Sequence, residues 1–350
     1  MRQLEITGPR SVEWREAPAP ALAGDGEALV RPLAVAMCDL DAAFITGVVP
    51  VGEPFPLGHE CVGEVVDVGD AVTSVAPGDC VIVPFQISCG ECDACRAGHT
   101  SSCLTVPRGS AYGMKPLGGD WGGALAELLR VPFADAMLVP LPEGIEPADV
   151  ASVADNVPDG FRTVAGPLAA TPGAEVLVVG GFARSVGLYA AASAVALGAG
   201  RVVYADVDEG RLERAAALGA EPLAVPVADG GAPEWPKRLG RFPVTVDASG
   251  DHGGLHAAVR STAPNGTCTS VAIYFEPETP LPMLEMYTRG CTLHASRVHA
   301  RATIPHVLEL VADGRLEPQR VTSAVVGFGD AEEALHDPPT KLVLVADGAG

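Results

Sequence analysis

Basic residues are scarce in this chain, and lysine most of all. The sequence has 23 Lys and Arg against 44 Asp and Glu, a net charge of −21, and its lysines are Lys115, Lys237 and Lys341. So acidic a chain repels phosphate backbones and anionic headgroups, which argues against nucleic acid or a membrane surface as partner. The acidic excess reads as a solvated shell and not as a binding face. Also missing is an apolar run that spans a bilayer. The most apolar stretch, Val186 to Gly200, lies between Arg184 and Arg201 and falls short of the roughly 20 residues a span needs. The start, Met1-Arg2-Gln3-Leu4-Glu5-Ile6, lacks a basic head followed by an apolar run, so no secretory leader is expected and the cytoplasm is the expected location. Despite 41 Gly and 31 Pro there is no repeat period and no low-complexity block.

A chain of 350 residues with 48% hydrophobic residues can fill two cores, so two domains are expected. Nine cysteines without an export signal point to metal ligands or catalytic thiols and away from disulfides. Cys89, Cys92, Cys95 and Cys103 follow a C-x2-C-x2-C-x7-C pattern. Four thiolates on one short loop can close a tetrahedral zinc site, and an iron–sulfur cluster is the chemical rival. Four protein ligands leave no open position, so such a site fixes a loop. A different donor set comes from three separate segments: Cys38, His59 in Pro56-Leu57-Gly58-His59-Glu60-Cys61, and Asp155 in Val153-Ala154-Asp155-Asn156. Cys, His and a carboxylate make an open three-ligand zinc site of the catalytic type, with the Glu60 carboxylate beside it.

Residues 1 to about 155 read as β-rich, with short apolar runs between Gly, Pro and Asp turns. From Ala174 strands and helices alternate, which signals a parallel sheet of the doubly wound Rossmann type. The buried strand Glu175 to Gly180 leads into Gly180-Gly181-Phe182-Ala183-Arg184-Ser185-Val186-Gly187 and then an apolar helix. This glycine loop is about two residues longer than the G-x-G-x-x-G fingerprint. Asp206 closes the next strand; an acid there accepts the ribose hydroxyls of NAD and repels a 2′-phosphate.

At Cys38, Gly58-His59-Glu60, Asp155 and the four-cysteine lobe, the sequence resembles the zinc-dependent medium-chain alcohol dehydrogenases over nearly its whole length. The resemblance implies a GroES-like β-barrel catalytic domain over 1–156, an inserted NAD-binding Rossmann domain over 157–297, and a return to the first domain over 298–350. It implies zinc in the lobe and a catalytic zinc on Cys38, His59 and Asp155, in the cleft between the domains. Glu60 is then a near or exchanging ligand, Asp41 the acid that hydrogen-bonds the ligand histidine, and Lys341 a basic residue near the cofactor pyrophosphate. Gly180, Gly181, Ser185, Val186 and Gly187 form the cofactor loop, and Arg184 is expected to supply the charge that the acid Asp39 lacks. The expected reaction is hydride transfer between NAD(H) and a small alcohol, aldehyde or ketone, in a homodimer or homotetramer. Two departures stand out: Leu40 and Ala43 occupy positions where many relatives relay a proton, which leaves water, Asn156 or Asp159 for that task. Alternative readings are aldehyde dismutation, reduction of an activated double bond, or a non-enzymatic nucleotide-binding protein on the same scaffold.

Overall fold

The strand Ala28–Ala36 is the spine of the first unit in a computed structural model that describes residues 1–346. Its Ala, Val and Leu residues are buried along nearly its whole length. It pairs antiparallel with Glu60–Val68, with Leu129–Val131 and with Leu342–Val345. Cys80–Val83 and Val139–Pro140 continue the sheet on one side, and Ala324–Gly327 on the other, for seven strands. A separate three-stranded sheet holds Ser11–Glu16, Arg2–Gly8 and Phe55–Pro56. The unit comprises Met1–Pro158 and Val298–Gly350, so the chain returns to it after an insertion. Of that returning segment, residues 347–350 lie outside the described residues.

Strand register explains why distant residues meet. Ala36 stands opposite Glu60 on one side and Val343 on the other. Cys38, His59 and Lys341, each within two residues of these positions, therefore leave three adjacent strands at the same end. Gly58 sets the approach of His59. Its φ is +88°, and a Cβ there would lie 2.9 Å from both the backbone nitrogen and Cγ of Leu125. Glycine alone takes that backbone conformation without strain and leaves room for the neighbouring segment.

The second unit, Asp159–Arg297, is a six-stranded sheet with every recorded pairing parallel. Across the sheet run Glu221–Ala224, Arg201–Asp206, Glu175–Val179, Phe242–Asp247, Thr262–Ser270 and Thr292–Ala295. Within the unit that order is third, second, first, fourth, fifth, sixth, the Rossmann order. Leu177, Val179, Val203, Ala205, Leu255 and Val259 fill its core. Gly180, Asp206 and Asp247 lie at the carboxyl ends of their strands, where doubly wound sheets bind ligands. Barrel-type and Rossmann units are both as the sequence leads one to expect. Among the described residues no helix is long and apolar enough to cross a membrane.

Gly58→Ala should destabilise the chain by about 1–3 kcal/mol, the cost of a side chain in left-handed backbone. A urea midpoint unchanged from the parent would show that this turn tolerates a Cβ.

Candidate functional site

Cys38 caps the helix Asp39–Thr46: its Sγ accepts from the backbone N–H of Leu40, and Asp41 accepts from the N–H of Cys38 through Oδ2 at 3.0 Å. The other Asp41 oxygen lies 3.4 Å from Nδ1 of His59. On the far side of the ring, Nε2 of His59 is 3.3 Å from Oδ2 of Asp155. Asp155 ends the short turn Ala151–Ala154 and precedes the helix Asn156–Ala170. One donor atom each from Cys38, His59, Glu60 and Asp155 falls within 4.8 Å of the others, and all four residues are buried. Both ring nitrogens of His59 are buried without a hydrogen-bond partner. Buried polar atoms are nearly always satisfied, so an orphaned imidazole ringed by a thiol and carboxylates fits a missing cation. The donor set suits zinc, with Asp41 placed to hold Nδ1–H and leave Nε2 for the metal.

Charge in this pocket needs a counterweight. Burial, followed by the charge of Asp155, pushes the Cys38 thiol up to about 12. Burial alone would lower His59, but Asp41 and Asp155 outweigh it and raise the imidazole well above its ordinary range. A metal entering here must displace protons from both. Burial also pushes the Glu60 carboxyl up, while the Lys341 ammonium pulls it back down.

The four-cysteine lobe is built differently. The N–H of Leu104 donates to Cys92, that of Cys92 to Cys89 and that of Cys89 to Cys103, at 3.3–3.4 Å, and the Thr105 hydroxyl donates to Cys89 at 3.1 Å. Burial works against the Cys89 thiolate, but the hydrogen bonds from Thr105, Cys92 and Glu91 outweigh it and bring the thiol down to about 6. The four sulfurs meet within 4.8 Å, as a closed tetrahedral site requires.

In the second unit the glycine loop folds against its own sheet. The N–H groups of Gly180, Phe182 and Ala183 donate to the carbonyls of Ala205, Ser249 and Ala248. A Cβ on Gly180 would lie 2.4 Å from both Asp206 Oδ2 and the Tyr204 hydroxyl. The helix Arg184–Ala196 follows, with Ser185, Val186 and Gly187 buried in its first turn. Asp206 ends its strand as anticipated, and its buried carboxylate accepts five hydrogen bonds. They come from the Tyr204 hydroxyl, the N–H groups of Val207 and Asp208, and Nε and Nη2 of Arg211, at 2.7–3.0 Å. Strand, glycine turn, helix and closing acid fit a dinucleotide.

Comparison with known proteins agrees with this geometry. Residues 24–143 match the alcohol dehydrogenase GroES-like domain, and residues 185–313 the zinc-binding dehydrogenase family. A probable zinc-binding alcohol dehydrogenase of Mycobacterium tuberculosis is 33% identical over 95% of this chain and 83% of its own length. The solved structure of the alcohol dehydrogenase TADH of Thermus sp. ATN1 superposes with a TM-score of 0.86 at 31% identity, covering 99% of this chain and all of the other. The chain belongs to the zinc-dependent medium-chain alcohol dehydrogenase family. A third relative, a zinc-binding dehydrogenase of Sinorhizobium meliloti 1021 bound to NADP, shares the fold with a TM-score of 0.77 at 22% identity, over 98% of both chains.

For this zinc-type oxidoreductase the site residues sort clearly. Cys38, His59, Glu60, Asp155 and Asp41 converge in the first unit. Lys341 requires a correction. It is fully buried, and its Nζ sits 2.7 and 2.8 Å from the two Glu60 oxygens, so its charge is committed to Glu60 and not offered to a cofactor phosphate. Leu40 and Ala43 are buried and carry no titratable proton, and the Asp159 carboxylate is held by Arg162. Asn156 was legible as a polar neighbour of a ligand, but its contacts with Cys38 and Lys341 depend on tertiary register and left no trace in the sequence.

Because burial and Asp155 push the Cys38 thiol up to about 12, and, against burial, Asp41 and Asp155 raise His59 above its ordinary value, a metal must displace protons and affinity at this site should climb as pH rises. Competition with a chelator is expected to tighten up to about 100-fold per pH unit when two protons are displaced per ion. An affinity that does not change between about pH 6 and about pH 8 would contradict a Cys38–His59 ligand pair.

Proposed function

We propose that this protein is an alcohol dehydrogenase that transfers a hydride between a small alcohol, or its carbonyl partner, and NAD(H). Zinc is held by Cys38, His59 and Asp155. The observation that carries the reading is the pair of unpartnered ring nitrogens on buried His59, with a thiol and a carboxylate converging on them. When bound, the zinc polarises the substrate oxygen as a Lewis acid and the nicotinamide exchanges the hydride.

The protein's own residues do the rest. Asp41 stands 3.4 Å from Nδ1 of His59, placed to take its N–H once Nε2 binds the metal, and its second oxygen accepts from the Cys38 N–H, so one carboxylate would orient two ligands. Buried Leu40 and Ala43 offer neither a hydroxyl nor an imidazole at their own positions, so the alcohol proton would depart by water or past Asn156. The first turn of the helix Arg184–Ala196 would hold the cofactor, with Gly180 and Gly181 before it letting the backbone come close and Arg184 offering a planar guanidinium for phosphate. Asp206 receives the ribose hydroxyls.

Chemical analysis with turnover tests the reading directly. Two zinc ions per chain and NAD-dependent oxidation of one or more primary, secondary, aromatic or terpenoid alcohols are expected. Cys38→Ser should lose one zinc and the activity together. A parent that binds a single zinc, at the lobe, would support a non-catalytic scaffold instead.

Asp206 adds a second expectation. Its pairing with Arg211 offsets part of its repulsion of a 2′-phosphate, so the preference for NAD should be moderate. Asp206→Ser releases Arg211 to meet that phosphate. The ratio of kcat/KM values should then move towards NADP by on the order of 10–100-fold, the worth of a charge-assisted hydrogen bond. A parent already selective for NADP would overturn the assignment of Asp206.

A further inference from the structure

Lys341 touches the chain neighbour of every proposed metal ligand. Its Nζ donates to the carbonyl of Met37, beside Cys38, at 3.0 Å; to both oxygens of Glu60, beside His59, at 2.7 and 2.8 Å; and to Oδ1 of Asn156, beside Asp155, at 2.8 Å. The Asn156 amide nitrogen then donates to Cys38 Sγ at 3.2 Å and to Asp155 Oδ2 at 2.9 Å. An ammonium cannot accept a hydrogen bond, so the carbonyl end of Asn156 must face Lys341 and the amide end the ligands. All of these side chains are buried.

Glu60 makes this arrangement consequential. A Glu60 oxygen lies within 4.8 Å of the donor atoms of Cys38, His59 and Asp155. Left alone, it can become a fourth protein ligand and close the site, as in a structural zinc centre. Both of its oxygens are engaged by Lys341, and giving one to the metal breaks a buried charge-assisted contact.

We propose that Lys341 and Asn156 form a bracket that ties the three ligand-bearing segments together and holds Glu60 off the fourth coordination position, which is thereby left to substrate. Both are positioning residues. The proposal rests on the assignment of Cys38, His59 and Asp155 as ligands.

Cobalt-substituted protein separates the two. Imidazole added to the parent should shift the visible cobalt spectrum with saturation, while cobalt in the closed four-cysteine lobe contributes an unresponsive background. In Lys341→Met, Glu60 should take the open position, and the imidazole shift should be lost or need at least about tenfold more imidazole. The double variant Lys341→Met/Glu60→Gln should recover the shift, since a neutral amide competes poorly for the metal and needs no counter-ion. Asn156→Leu keeps the ammonium and should weaken cobalt binding about 10–100-fold, as loss of a partner behind the ligands does. This variant carries the test if Lys341→Met does not fold. An unaltered imidazole response in Lys341→Met, or unaltered metal affinity in Asn156→Leu, overturns the bracket while leaving the ligands standing. A parent that takes cobalt in the lobe alone overturns both.

Discussion

Anions do not gather in a dry interior unaided. Cys38, Asp41, Glu60 and Asp155 bring a thiol and three carboxyl groups around one imidazole, all buried. Two like charges about 4 Å apart repel by about 4 kcal/mol at an effective dielectric near 20. Several such pairs would exceed the whole stability of an ordinary domain, commonly about 5–15 kcal/mol. Burial keeps protons on part of the cluster, and positive charge among the groups relieves the rest. Lys341 supplies one unit from inside the fold, and a divalent ion on the proposed ligands Cys38, His59 and Asp155 would supply more. The rest of the first unit follows from that demand. Three adjacent strands end together, Cys38 caps a helix, Gly58 bends His59 inward, and Asp41 serves two ligands at once.

In the proposed function the second unit has the opposite requirement, that of receiving an anion. Its parallel sheet carries glycine where the backbone turns into the helix Arg184–Ala196. The glycines meet an internal need as well. Gly180 leaves room for the Asp206 carboxylate and the Tyr204 hydroxyl, and Gly181 for the backbone of Ser249. Burial works against the Arg211 guanidinium, but the Asp206 carboxylate outweighs it and raises the group further. The acid that would meet the ribose is thus held in place by its own neighbours.

Much of this was legible in the sequence, for reasons that differ by residue. Few side chains bind zinc, so Cys38, His59, Asp155 and the four lobe cysteines stand out by type and spacing. The order of strands and helices after Ala174 announces the Rossmann unit because buried parallel strands have a distinct apolar pattern. Lys341 was legible as a rare lysine near a closing strand, and the family resemblance put it beside the cofactor pyrophosphate and not beside Glu60. What it touches depends on Leu342–Val345 pairing with Ala34–Ala36, a contact across some three hundred residues that no local pattern encodes. Asp206 was likewise placed correctly at its strand end, while three of its five donors arise from a tyrosine two residues before it and an arginine five residues after it.

The most direct measurement is zinc K-edge X-ray absorption on the intact protein. Five sulfurs should be shared between two zinc ions, four from Cys89, Cys92, Cys95 and Cys103 and one from Cys38, with nitrogen and oxygen neighbours completing the second ion. In Cys38→Ser the remaining zinc should show sulfur neighbours alone. A parent spectrum that already contains only sulfur, or one that Cys38→Ser leaves unaltered, would mean that Cys38, His59 and Asp155 do not hold the metal.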